Sequence, residues 1–169
     1  DLLESRGLGD VYKRQANAGQ GFISSMAFGN GGTSVDPTGI ITYLTPNSTG
    51  TNASLYNQTF TKIVDDRSVS NLDPQRNKIE TRHVNGTNYT DVVVTCLLDY
   101  GEPNGQDATD TASASDSLYV FDELGLTSYA SSGTGKLLTH VIFHPVQKSL
   151  NRLIQIDYTV RVQSLTGFN

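Results

Sequence analysis

Apolar and polar residues alternate strictly near the C-terminal end of this chain. Ile154, Ile156, Tyr158, Val160 and Val162 fall on one side of an extended segment, and Gln155, Asp157, Thr159, Arg161 and Gln163 on the other. A pleated strand points successive side chains to opposite faces, so residues 152–162 predict a strand with one dry and one wet side. Polarity of that two-sided kind is typical of antiparallel sheets. Two more strand signals precede it, at 118–126 (LYVFDELGL) and 135–145 (GKLLTHVIFHP), the second ended by Pro145.

The same pattern, weaker, runs through the rest of the chain. Residues 20–28 (QGFISSMAF) form a short apolar segment, helix or strand, stopped by the breaker Gly29-Asn-Gly-Gly32. Residues 39–44 (GIITYL) predict a short strand, and 55–64 (LYNQTFTKIV) a longer one, followed by a polar connection at 65–74. Residues 77–84 and 88–100 read as a hairpin about Asn85-Gly86, because a type I′ turn needs positive φ at both central positions. Residues 101–117 (GEPNGQDATDTASASDS) make a long acidic loop. Strands at this spacing, separated by turn signals, indicate a mainly β fold, an antiparallel β-sandwich or barrel-like domain, with a short N-terminal helix as the one exception left open. There is no internal repeat.

Residues 5–15 (SRGLGDVYKRQ) back-translate into a transposase-library sequencing adapter read in frame. Residues 1–15 are therefore read as a non-native leader and 16–169 as a single β-rich structural domain. The natural N-terminus is then unknown, and the source is an assembled environmental sequence. Setting residues 1–15 aside removes Arg6, Lys13 and Arg14 together with Asp1, Glu4 and Asp10, so the formal net charge stays at −5. An acidic balance without clustered Lys and Arg argues against nucleic acid as a partner. No apolar run reaches the roughly 20 residues needed to span a bilayer, so no membrane partner is expected either. Only 17% of residues are charged, so polarity comes from Thr, Ser, Asn and Gly, a composition suited to strands and turns.

Candidate chemistry is thin. Gly133-Thr-Gly-Lys136 fails as a phosphate loop, because Ala130 and Leu137 stand where that loop needs a Gly and a Ser or Thr. His140 and His144 have the spacing of a helical zinc pair, but in a strand four residues span roughly 13 Å, too far to share one ion. His83 is isolated. Asp99, Glu102, Asp107, Asp110 and Asp116 are oxygen donors that do not match the EF-hand spacing. Glu123, flanked by Phe121 and Leu124, fits a carboxylate held against a backbone amide or an Arg, and without a paired acid at definable distance general acid–base work is not expected. Cys96 lies inside an apolar run and reads as a buried structural thiol. No enzymatic activity, cofactor or metal is expected, and no small-molecule ligand.

In its order of features the chain resembles the N-terminal module of phage tail-fibre and baseplate-type virion structural proteins. The residues that carry the resemblance are Phe28-Gly-Asn-Gly-Gly32, the 55–64 segment, Phe121-Asp-Glu-Leu-Gly-Leu126, and Gly135-Lys-Leu-Leu138 through Pro145 and Lys148 to the alternating strand. Together they cover most of residues 16–162. The resemblance implies a non-enzymatic virion subunit of a bacteriophage tail, baseplate, neck or fibre attachment, located in the virion. Its partners would be copies of itself and other virion structural proteins. Fibre proteins continue into shaft and tip segments, so the end at Asn169 leaves a standalone subunit or a truncated longer gene open. The alternatives are a capsid decoration protein and a carbohydrate-binding β-sandwich, for which Tyr43, Tyr56 and Tyr89 would be the stacking residues in the absence of Trp. The candidates for contact between subunits are Phe22, Ile23, Met26 and Phe28 in the first apolar segment, and Asp107 and Asp110 in the acidic loop.

Overall fold

Every regular element among the described residues of the computed structural model, 23–47, 53–103, 118–130 and 135–164, is a strand. In chain order these are β1 (Ile23–Gly29), β2 (Thr33–Val35), β3 (Ile41–Tyr43), β4 (Gln58–Ile63), β5 (Lys78–His83), β6 (Tyr89–Leu98), β7 (Leu118–Ser128), β8 (Leu137–Ser149) and β9 (Ile154–Gln163). They form a four-stranded antiparallel sheet in the order β4-β1-β7-β8, a three-stranded antiparallel sheet in the order β5-β6-β9, and a small β2-β3 pair. One hydrophobic core joins the two larger sheets: Met26, Phe28, Phe60, Phe121, Leu124 and Leu126 from the first meet Ile79, Val92, Val94, Cys96 and Leu98 from the second. The expected antiparallel sandwich is therefore the fold. Phe28 sits at its centre, with ring centroids 5.8 Å from Phe60 and 5.3 Å from Phe121. Each fully buried side chain of this size contributes about 1.5–3 kcal/mol relative to exposure.

Period two explains which residues face that core. On β9 the even-numbered positions from Ile154 to Val162 are half-buried and the odd-numbered ones exposed. The dry side is only half covered because β9 is the end strand of its sheet. β6 lies between β5 and β9, and its Val92–Val94 and Cys96–Leu98 runs are buried on both faces, which is why it lacks alternation.

Four local readings change. Residues 23–28 belong to strand β1, so the helical option fails there, while 20–22 lie outside the described residues. Asn85-Gly86 does occupy the middle of a turn, closed by Thr87 N–H donating to Val84 O at 3.2 Å, with Gly86 at φ 86°. The last strand pair is however His83↔Thr90, so the turn sits inside a longer loop than a two-residue hairpin. β8 runs on through Pro145 to Ser149. It can do so because β8 is an edge strand and the register jumps from Phe121↔Val146 to Glu123↔Ile142, leaving Phe143, His144 and Pro145 opposite Asp122. A proline without an N–H is tolerated at such a bulge. β2 was not anticipated, being three residues long with no apolar period. The glycine-rich 133–134 and most of the acidic loop, 104–117, lie outside the described residues.

Candidate functional site

Among the described residues the second face of the larger sheet carries the densest network of buried polar groups. The bulge beside Phe121 changes the phase of β7, so that Phe121, Leu124 and Leu126 point into the core while Asp122 and Glu123 both bond outward into the covering loops. There they meet the glycine loop 29–32, hairpin β2-β3 and residues 55–57. Both carboxylates are buried, Asp122 at 3% exposure and Glu123 at 0%.

Glu123 satisfies four donors. Its Oε1 accepts the backbone N–H groups of Gly31 (3.1 Å) and Asn57 (2.8 Å), and its Oε2 accepts that of Tyr56 (2.9 Å) and the Nε2–H of His140 (2.8 Å). On the far side of the imidazole, the backbone N–H of Asn47 donates to Nδ1 at 2.8 Å. A ring nitrogen that accepts an N–H carries no proton, so the His140 proton is on Nε2, directed at the carboxylate. Asp122 completes the arrangement: Oδ1 accepts Gly32 N–H (2.9 Å), and Oδ2 accepts both the N–H (2.9 Å) and the hydroxyl (2.5 Å) of Thr33.

Small residues make this approach possible. A Cβ on Gly29 would collide with Asn57 O and the Glu123 carboxyl, and one on Gly31 with the backbone N of Asn57 at 2.8 Å. A Cβ on Gly125 would collide with the Thr139 carbonyl and the Leu137 side chain of β8. Fixed donors from the chain itself take all four acceptor sites of Glu123 and three of those of Asp122. The network ties three stretches of chain to one strand.

A second cluster closes the end of the sandwich nearest the 99–103 turn. Lys148 is fully buried, and its Nζ donates to the carbonyls of Asp99 (3.0 Å), Glu102 (2.7 Å) and Ser149 (2.8 Å). Burial pushes its ammonium below the ordinary lysine range, against the opposing pull of Glu102 and Asp99. Lys62 pairs with Glu102 at 2.6 Å beside it. A cleft of about 580 Å³ adjoins this cluster, lined by Phe60, Ile63 and Leu72 as well as Asp73, Arg76 and Asp99. Its charges answer one another, Arg76 bonding to Asp73 (2.5 Å) and Asp99 (3.3 Å). Cys96 is fully buried, and burial pushes its thiol up to about 12, which leaves it inert at neutral pH.

The structure places the other candidates as follows. Met26 and Phe28 are core residues, 0% and 2% exposed, enclosed by the chain's own two sheets. Ile23 is half-buried at the start of β1, beside an apolar groove. Phe22, Asp107 and Asp110 lie outside the described residues. His140 and His144 share β8, but His140 is engaged with Glu123 and His144 Nδ1 lies 3.3 Å from the Tyr43 hydroxyl. Tyr56 leans on His140 with centroids 5.6 Å apart, whereas Tyr89 lies on the other sheet under the Arg161 guanidinium, 3.8 Å away. The three tyrosines therefore do not form one platform. Among the described residues no three His, Cys, Asp or Glu side chains gather to hold a metal.

Reading the sequence flagged Glu123 and the glycine loop separately and missed their union, as well as the role of Asp122. One signal was present: two adjacent carboxylates inside an apolar strand cannot both be left without donors, and a glycine-rich loop is a source of close backbone N–H groups. No family model, no curated protein and no solved structure matches the chain.

Proposed function

We propose that this protein is a non-enzymatic virion structural subunit of a bacteriophage, of the tail, baseplate, neck or fibre-attachment class, which works by protein–protein assembly. The observation that carries the reading is the Asp122–Glu123 network. The two short motifs behind the resemblance, Phe28-Gly-Asn-Gly-Gly32 and Phe121-Asp-Glu-Leu-Gly-Leu126, are the two halves of one buried hydrogen-bonded hub. Their spacing thus has a mechanical reason: the loop supplies N–H groups that the strand's carboxylates hold.

The chemistry of the buried polar groups supports the same reading. Glu123, His140, Asp122 and Lys148 use their bonding capacity on the chain itself, which is how a scaffold employs such groups and not how a general acid or nucleophile does. What such a fold offers to the outside is shape, strand edges and apolar seams.

The test is proteomic. Density-banded phage particles from the source community are digested and searched for peptides of residues 53–103, while the genes flanking this one are sequenced. Peptides that co-purify with particles, beside portal, sheath or baseplate genes, support the proposal. Absence from particles, with neighbours belonging to a metabolic operon, refutes it.

A further inference from the structure

Among the described residues β9 is the one long edge that carries no proline, glycine, bulge or inward-facing charge. Edge strands are usually protected by charges facing inward, prolines, bulges or short length. Among the described residues the other edges of the two larger sheets have such protection: β8 has Pro145 and its bulge, β5 is only six residues long, and β4 has six residues with Lys62. β9 has ten residues, no proline or glycine, no register shift against β6, and only apolar side chains on its inward face. Its ladder also has a definite phase. Ser164 N–H donates to Asn88 O at 2.8 Å, so the even-numbered residues of β9 bond to β6. The odd-numbered residues, Gln155 to Gln163, point their N–H and C=O groups away from it, along the edge.

We infer that β9 pairs antiparallel with β9 of a second copy, about a two-fold axis at Thr159, to give a continuous six-stranded sheet. Three features select this occupant and this register. First, hydrogen-bonded pairs must form between odd-numbered residues, which restricts the register to those that keep faces matched. Second, with Thr159 opposite its own counterpart, Asp157 faces Arg161 of the copy and Arg161 faces Asp157, so each guanidinium, held within its own chain by Asp91 (2.8 and 3.0 Å) and laid over Tyr89, gains a second carboxylate on the wet side. Shifting by two residues places Asp157 opposite Thr159 and loses both. The strand is thus complementary in charge to itself, as an isologous interface requires. Third, the dry side continues the core: Ile156 meets Val162 of the copy and Tyr158 meets Val160, all half-buried in the single chain. The pairing also covers an apolar groove of about 360 Å³ between β8 and β9, lined by Ile23, Leu126, Leu138, Val160 and Val162.

This inference deepens the assembly reading above by naming a surface and a symmetry. It is tested separately from it. The full chain is examined by sedimentation equilibrium, and Thr159→Cys and Gln155→Cys variants are oxidised and run on non-reducing gels. Native Cys96 is fully buried and stays out of the reaction. The expected result is a dimer, with Thr159→Cys cross-linking because directly opposite Cα atoms in a hydrogen-bonded pair lie about 5.5 Å apart. Gln155→Cys should not cross-link, its copies being about 27 Å apart. Asp157→Arg, which puts like charges opposite Arg161 twice, should raise the dimer dissociation constant roughly tenfold. A monomer at all concentrations overturns the inference. So does a dimer in which Thr159→Cys fails to cross-link, or one indifferent to Asp157→Arg. A dimer in this register stands even if the protein is absent from particles, and a monomer found in particles removes the interface but not the virion role.

Discussion

Replacing Glu123 by Gln is the sharpest perturbation available, because it keeps the volume and changes only what two atoms can accept. The side chain meets four donors, Gly31 and Asn57 at one oxygen and Tyr56 and His140 at the other. A Gln presents one oxygen and one NH₂, so in either orientation the NH₂ faces two donors. His140 cannot become an acceptor at Nε2 without moving its proton to Nδ1, where the Asn47 N–H already donates. At least two buried donors are therefore left without acceptors. Each such loss costs about 1–3 kcal/mol, so Glu123→Gln should destabilise the fold by about 3–4 kcal/mol. For a domain of this size that corresponds to a melting temperature lower by about 10 °C. Asp122→Asn should cost less, since the Thr33 hydroxyl can reverse its role and accept, leaving one donor orphaned. The assay is urea denaturation followed by far-UV circular dichroism and tyrosine fluorescence, the chain having no Trp. A Glu123→Gln midpoint that moves by less than about 0.5 kcal/mol would refute the hub, as would a larger loss for Asp122→Asn.

Gly29→Ala should lower stability by about 2–3 kcal/mol, because its methyl meets the backbone of Asn57 and a fixed carboxylate; an unchanged calorimetric melting point would show that the loop has room to yield. Asn77 is 1% exposed and its Oδ1 accepts Leu97 N–H at 2.9 Å, so Asn77→Ala should cost about 2 kcal/mol and speed hydrogen exchange at the Leu97 amide. If that amide exchanges as slowly as before, the bond is not what protects it. The buried Cys96 thiol keeps its proton up to about 12, against an ordinary value of 9.0. Between those pH values the folded state binds more protons than the unfolded state, so stability falls as pH rises through this window. Cys96→Val should flatten that decline; identical alkaline slopes for the two proteins would contradict the assignment.

How far the sequence could be read depended on the range of the interaction. β9 was legible residue by residue because alternation is a local consequence of the pleat and needs no partner. The β5-β6 hairpin was legible because Asn85-Gly86 joins strands that are neighbours in the chain. Pro145 misled, since whether a proline ends a strand depends on which strand lies beside it and whether that edge is paired. β1 stayed ambiguous between helix and strand for a similar reason. Ile23 to Phe28 has too few residues to establish a period, and its place between β4 and β7 is what extends it.

The site shows the same divide more strongly. Glu123 could be marked as a carboxylate in need of donors, and the glycine loop as a tight turn, each from its own few residues. Nothing local joins them, for Gly31 and Glu123 are 92 positions apart. Composition and periodicity by themselves determined an antiparallel β protein with a buried thiol and a two-faced last strand, since burial and pleating act on each residue where it stands. Only the tertiary structure decided that the bulge at Phe121 turns two carboxylates to one side, that glycines let the loop reach them, and that β9 is the end strand of its sheet. Those outcomes depend on which strands become neighbours, a choice made by the whole core at once and written in no single segment.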